Sequence, residues 1–236
     1  IMKAVRTIGM MCAILISFLI VCSPAWAGQF GAPQPIANEN GFALGVGYFY
    51  SQNKMELSDN YVGDFKMVRN EIYIQASGAT KYVEGYLRLG GADMKLKDIS
   101  DFGQDFDDSA KVYGGIGARA VYPVTPYFGI GPVFQASLYS NYTDDFESLR
   151  VKIENPWELG LALAFQGNIG KNLIIYAGPH LYWSKFDFES GPSAEVKGNF
   201  GGMGGIRFKI NNTFSLEIEG QYVEEFSAGG IFTVSF

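Results

Sequence analysis

The chain has 236 residues, a formal net charge of −6, 15% aromatic residues, Gly 30, Tyr 14 and Phe 19. The acidic balance argues against a nucleic-acid partner, because neutralising phosphates needs clustered Lys and Arg. Both cysteines, Cys12 and Cys22, fall near the start, so beyond residue 27 no disulfide framework and no thiolate metal site can be built.

The first residues read as an export signal. Lys3 and Arg6 precede an apolar run from Ile8 to Val21, and Ala25-Trp26-Ala27 follows as a small-x-small cleavage site. The apolar run is about 14 residues, short of the ~20 a spanning helix needs. Bulky Val21 before Cys22 does not suit a lipoprotein site. Residues 1–27 are therefore expected to be removed, leaving Gly28 first. Residues 28–40 hold Pro33 and Pro35 without periodicity and are expected to be a short lead-in outside the folded domain, 41–236.

From there the chain alternates apolar and polar residues, the period of a strand. Ten strands are expected: 41–50, 67–77, 80–90, 110–122, 127–139, 156–166, 172–184, 198–210, 214–223 and 229–236. The clearest is the sixth, with Trp157, Leu159, Leu161, Leu163 and Phe165 opposing Glu158, Gly160, Ala162, Ala164 and Gln166. Tight turns are expected at Gly78-Ala79, at 123–126, at 167–171 and at Asn211-Asn212-Thr213. Longer polar loops are expected at 51–66, 91–109, 140–155 and 185–197. The last outer connection, near Val223–Phe226, is short, and eight strands is the alternative count. Runs of this length suit the ~9–11 residues of a tilted membrane strand better than the ~5–6 of globular strands. Beyond the first stretch no apolar run of 18 residues occurs. The expected fold is all-β, a transmembrane antiparallel up-and-down β-barrel.

In hydrocarbon a spanning sheet must close, so that every backbone polar group pairs within the protein. The apolar stripe then faces lipid. The lumen receives Arg69, Glu71, Glu84, Arg88, Lys111, Arg119, Glu158, Arg207, Lys209, Glu217 and Glu219. Six are basic and five acidic, so a charge-paired interior is expected. The turn at Asn211-Asn212 sets Arg207 opposite Glu217, and a turn at Gly78 would set Glu71 diagonal to Arg88. Inward glycines (Gly45, Gly47, Gly85, Gly115, Gly117, Gly160) are expected to leave local space. Aromatics near strand ends, among them Tyr48, Tyr50, Tyr122, Tyr127, Tyr139, Trp157, Trp183, Tyr222 and Phe236, are expected at the two interfaces. Tyr86 falls on the inward phase.

Candidate sites are few. His180, the single histidine, shares the inward phase with Tyr176, Tyr182 and Ser184, which suits a hydrogen-bonded lumen residue better than a catalytic one. Asp101, Asp105, Asp107 and Asp108 cluster in one outer loop, and Asp144, Asp145 and Glu147 in another. Carboxylate oxygens suit Ca²⁺ or Mg²⁺, or divalent bridges to lipopolysaccharide, but the EF-hand spacing is absent. A solvated acidic loop is the plainer reading, and no metal or other cofactor is assigned. Gly201-Gly202-Met203-Gly204-Gly205 lies mid-strand with no helix after it, so it is not a phosphate loop.

The chain ends Gly229-Gly230-Ile231-Phe232-Thr233-Val234-Ser235-Phe236. Phe232, Val234 and Phe236 share one face, and an open edge here is expected to pair with the first strand. This terminus, the strand pattern and the signal resemble the small outer-membrane β-barrel superfamily of OmpA-type transmembrane domains, OmpX-like and opacity-like proteins. The resemblance implies that Phe232, Val234 and Phe236 are read by the barrel-assembly machinery. It implies a bacterial outer-membrane location, with lipid and lipopolysaccharide as surroundings and surface loops in structural, adhesive or binding roles. A narrow channel for small solutes is the alternative. A membrane-embedded hydrolase of the lipid-A deacylase kind is the remote one, since that family's histidine faces lipid.

Overall fold

In the computed structural model the described residues are 30–58, 64–98, 105–146, 149–189 and 191–236. Residues 1–27, expected to be an export signal, lie outside them. The described residues form β1 (Phe42–Leu57), β2 (Asp64–Ala79), β3 (Val83–Lys97), β4 (Phe106–Ala120), β5 (Tyr122–Thr125), β6 (Phe128–Tyr139) and β7 (Tyr142–Phe146). Then come β8 (Leu149–Ile169), β9 (Leu173–Phe188), β10 (Ser193–Val196), β11 (Phe200–Lys209), β12 (Phe214–Val223) and β13 (Glu225–Ser235). The pairs β4–β5, β6–β7 and β10–β11 each run as one interrupted stave. Ten antiparallel staves result, and β13 closes on β1 from Ala43↔Ser235 to Tyr50↔Ala228. Closure removes the edge that a terminal strand would otherwise expose.

The staves are longer than one bilayer needs. Sixteen residues, as in β1, β2 and β9, rise ~50 Å along the strand. The surplus forms a collar at the outer end, and there the side-chain pattern inverts. In the inner part of β1, Phe42, Leu44 and Val46 face out, while Ala43, Gly45 and Gly47 face in. In the outer part Phe49 and Met55 face in, while Lys54 and Glu56 are partly exposed outside. Along β1 the backbone phase does not slip and only the chemistry of the two faces exchanges, whereas β4 and β8 carry a register shift at this level. Below, apolar side chains meet lipid. Above, they meet one another, as in a water-soluble barrel.

This exchange corrects the expected loops. Much of 51–66, 91–109, 140–155 and 185–197 is strand, because Met55, Phe65, Met94, Leu96, Tyr142 and Ile153 bury inside the collar. The first inner turn also moves. It falls after Ala79, with the Thr80 N–H donating to the Val83 carbonyl at 2.8 Å, not at Gly78-Ala79. The next inner turn is Pro126-Tyr127.

The outer rim settles the alternative strand count. The β12–β13 hairpin ends early, with Val223 paired to Glu225 across Glu224 at φ 60. Above it β10 pairs directly with β1 at Met55↔Val196, Glu56↔Glu195 and Leu57↔Ala194. Ten staves therefore close the inner barrel, and eight reach the rim. One rim seam is held by side chains instead of a ladder. The β4–β6 register runs to Tyr113↔Tyr139, and beyond it Asp107 N–H donates to Asp144 Oδ2 (2.8 Å) and Thr143 N–H to Asp108 Oδ2 (2.7 Å).

Candidate functional site

The lumen is occupied by the segment that precedes β1. Residues 30–37, expected to lie outside the barrel, enter it from the inner mouth, and Phe30 and Ala32 are fully buried. A proline-broken segment of this kind has no ladder to join, so its backbone groups need partners from elsewhere. The lumen side chains supply them. Glu84 Oε2 accepts from the N–H of Ile36 (2.5 Å) and Ala37 (3.1 Å). Glu217 Oε1 accepts from Ala32 N–H (2.5 Å). Glu219 accepts from Phe30 N–H (3.0 Å) and Gly31 N–H (2.6 Å) through its two oxygens. Arg207 donates to the carbonyls of Gln34 (2.6 Å), Pro35 (3.3 Å) and Ala32 (3.2 Å), and Arg119 Nη1 donates to that of Ala32 (3.2 Å).

The same charges also meet one another. Arg207 stands opposite Glu217 in register and donates to it at 3.0 and 3.1 Å. Arg119 stands opposite Glu84, Nε to Oε1 at 3.4 Å, and reaches Glu217 at 3.6 Å. Arg69 pairs across the lumen with Glu158, which also accepts from the Tyr182 hydroxyl. The expected Glu71–Arg88 pair does not form, because the displaced turn sets Glu71 opposite Ala92 and Arg88 opposite Gln75. Arg88 instead donates to Gln75 at 2.8 Å, with its guanidinium 4.4 Å from the Tyr73 ring centre. Tyr139, expected at the interface, is buried with its hydroxyl 2.8 Å from both Glu71 and Glu158. Lys111 lies on the inward phase but half-exposed near the rim, 3.2 Å from Asp108, and Lys209 sits partly buried at the inner mouth.

Gly85, expected to face inward, is exposed on the outward phase with Leu87, and three of the other glycines admit rings. A Cβ at Gly47 would strike Tyr73, one at Gly117 would strike Tyr86, and one at Gly160 would strike Phe30. Gly31 is needed for two reasons. Its φ is +81, and a Cβ there would lie 2.5 Å from Arg119 Nη1 and 2.9 Å from Glu217 Oε2. Gly31→Ala is expected to destabilise the barrel by about 1–3 kcal/mol, read as a lower temperature at which the compact gel band is lost. An unchanged temperature would mean that the segment contributes nothing to stability.

Beyond Phe30 the outer lumen is filled by an apolar cluster that includes Met55, Phe65, Met67, Met94, Leu96, Phe106 and Phe186. His180 lies between the two zones, 2% exposed, with its ring 5.2 Å from that of Phe30. It has no access to lipid, unlike the histidine of a deacylase arrangement. The acidic candidates do not converge. Asp101 and Glu147 lie outside the described residues. Asp105 is exposed, Asp107 faces outward against Lys95 at 2.7 Å, and Asp108 turns inward. Burial pushes the Asp108 carboxyl up, but hydrogen bonds from Thr143 N–H and Lys111 leave it below its ordinary range.

At the closure, Phe232 stacks on Phe214 with centroids 5.9 Å apart, and Phe236 is 68% exposed on the lipid side. Sequence patterning pointed to the lumen charges but not to their main partner, the entering segment. The available signal was a short lead-in with two prolines next to a lumen lined by inward glycines.

No family model and no curated protein matches the chain. Among solved structures it is similar to an outer membrane channel from Pseudomonas putida F1, at 13% identity and TM-score 0.51, over 88% of this chain and 98% of that one. It also matches the translocator domain of the autotransporter NalP from Neisseria meningitidis, at 12% identity and TM-score 0.47, over 84% of this chain and 88% of that one. A third match is the β-domain of the Bordetella autotransporter Brka, at 14% identity and TM-score 0.43, over 83% of this chain and 100% of that one. With ten closed staves, an apolar outer belt and a polar inner lumen, the chain has the fold of an outer-membrane β-barrel.

Proposed function

We propose that this is an exported outer-membrane barrel with a structural or surface-interaction role, working through its collar and rim with its lumen shut. The observation that carries this reading is double occlusion. The inner lumen is filled by residues 30–37, and the outer lumen by the collar's apolar cluster. Among the described residues, an ion entering from either side meets packed side chains. The rim presents Lys54, Asp64, Lys95, Asp107 and Lys197 to solvent or headgroups, a mixed surface suited to lipopolysaccharide or an extracellular partner. Export would use the signal ending at Ala27, and the terminal Phe232, Val234 and Phe236 would engage the assembly machinery.

Planar-bilayer recording tests the reading. The intact barrel is expected to show no discrete conductance steps. Deleting residues 30–37 is expected to leave it closed, because the collar cluster remains. Steady openings from the intact protein would overturn the proposal.

A second reading, a narrow gated channel, draws on one observation. The entering segment is held by hydrogen bonds and packing with no covalent link to the wall, so it can leave without covalent change. The Pseudomonas neighbour is itself described as a channel. Openings that appear only after the deletion would favour this reading.

A further inference from the structure

A hollow of about 920 Å³ is set into the lipid-facing side of the wall, from β13 through β1 to β6. Small residues alternate there with large ones. In register, Ala76 lies between Leu44 and Leu87, and Gly114 between Leu89 and Leu138. The four leucines are more than half exposed, and among the described residues no segment covers them. In hydrocarbon such a hollow fills with acyl chain, because an empty space forfeits dispersion contacts. Which lipid supplies the chain is decided by the groups above it on the same staves.

Asn70 lies four residues outward of Ile74 on β2, ~10 Å higher along the barrel axis. There the Tyr48 hydroxyl donates to Asn70 Oδ1 (2.5 Å), and Asn70 donates to Asp93 through its N–H (2.6 Å) and Nδ2 (2.9 Å). All three side chains are half-buried on the outward face. Four residues higher again, Lys54, Lys66 and Lys97 stand side by side on three adjacent staves, Lys54↔Lys66 and Lys66↔Lys97. Like charges directly opposite one another destabilise a sheet. Asp64 answers Lys54 at 2.9 Å, and Glu225 is 3.5 Å from Lys66. Lys97 is exposed and forms no ion pair among the described residues. A row of this kind suits an anion that bridges its members.

We propose that this face, from the hollow to the lysine row, binds a phosphorylated, multiply acylated sugar lipid of the outer leaflet, the chemistry of the lipid A part of lipopolysaccharide. The order of groups along the wall is the order within that molecule. An acyl chain lies in the hollow, and sugar hydroxyls and amides meet the acceptors of Tyr48, Asn70 and Asp93. Phosphate lies within reach of Lys66 and Lys97, whose long stems cover part of the interval. A glycerophospholipid shares the acyl chains but brings fewer donors, and its phosphate falls at the level of the Asp93 carboxylate. The assignment rests on the outer-membrane reading above and adds the chemistry of the partner to it.

Native mass spectrometry of the full barrel in a mild non-ionic detergent, titrated with purified bisphosphorylated lipid A or with phosphatidylglycerol, provides the test. The barrel is expected to retain lipid A about tenfold or more better than phosphatidylglycerol. Lys66→Gln combined with Lys97→Gln is expected to lower lipid A retention about tenfold or more, with phosphatidylglycerol unchanged. Ala76→Trp, which fills the hollow from the lipid side, is expected to lower it as well while the compact gel band persists. If Ala76→Trp fails to fold, Gly114→Leu fills the same hollow, since a Cβ there meets nothing closer than 3.9 Å. Equal retention of the two lipids overturns the proposal, as does unchanged lipid A retention in the lysine variant. A paired barrel that Ala76→Trp separates also overturns it, because the hollow then belongs to a second copy. Conductance on the same preparation keeps the two readings apart. A silent barrel without lipid selectivity overturns this site alone, and a conducting barrel that still selects lipid A overturns closure alone.

Discussion

Replacing Glu217 with alanine is expected to lower the stability of the barrel by about 3–5 kcal/mol. The carboxylate is 2% exposed, lies between Arg207 and Arg119, and also accepts from the Ala32 N–H. Its removal leaves two buried guanidiniums with reduced compensation and a backbone donor with none. The loss comes from what remains, since a buried pair contributes little net energy but half a pair is costly. The double change Glu217→Leu with Arg207→Met should therefore cost less than Glu217→Ala alone. Urea unfolding in phospholipid, followed by loss of the compact gel band, gives both values. A single variant within about 1 kcal/mol of wild type would show that these charges are solvated and the lumen open.

Leu87→Arg should cost about 2–4 kcal/mol, the penalty of a cation near the bilayer midplane. Leu87 is 62% exposed on β3, at the level of Ala76 and Ile116 on its neighbours. A soluble barrel would tolerate this change, because exposed surface substitutions usually stay within about 0.5 kcal/mol. Glu195→Arg on the collar is the matched control, exposed on β10 beside Glu56, and should stay within that range. The contrast between the two positions reports where hydrocarbon ends. Equal costs would remove the membrane from the account.

Strand phase, closure and the list of lumen charges were legible because alternation survives in the inner part of the staves. Val46, Ile74, Leu87 and Leu161 each lie opposite in phase to a polar or small inward residue. The collar was not legible by the same rule. At Met55, Phe65, Met94 and Leu96 the apolar residues sit on the inward phase, so a search for lipid-facing apolar stripes reads these stretches as loops. The Glu71–Arg88 pairing failed for a smaller reason. The Thr80–Val83 turn comes later than glycine chemistry alone suggested, and register is set by the turn. The role of residues 30–37 was hidden because the lumen side chains hold its main chain. Such recognition leaves almost no trace in residue type.

That last feature bears on how the protein could be re-engineered. A cork gripped through its amides is indifferent to most of the letters it is written in. Ile36 and Ala37 could be exchanged for other residues of modest size with the same amide bonds kept. Gly31 and Phe30 could not. A short foreign peptide spliced between those anchors and β1 would ride inside the wall, shielded from proteases on both sides of the envelope.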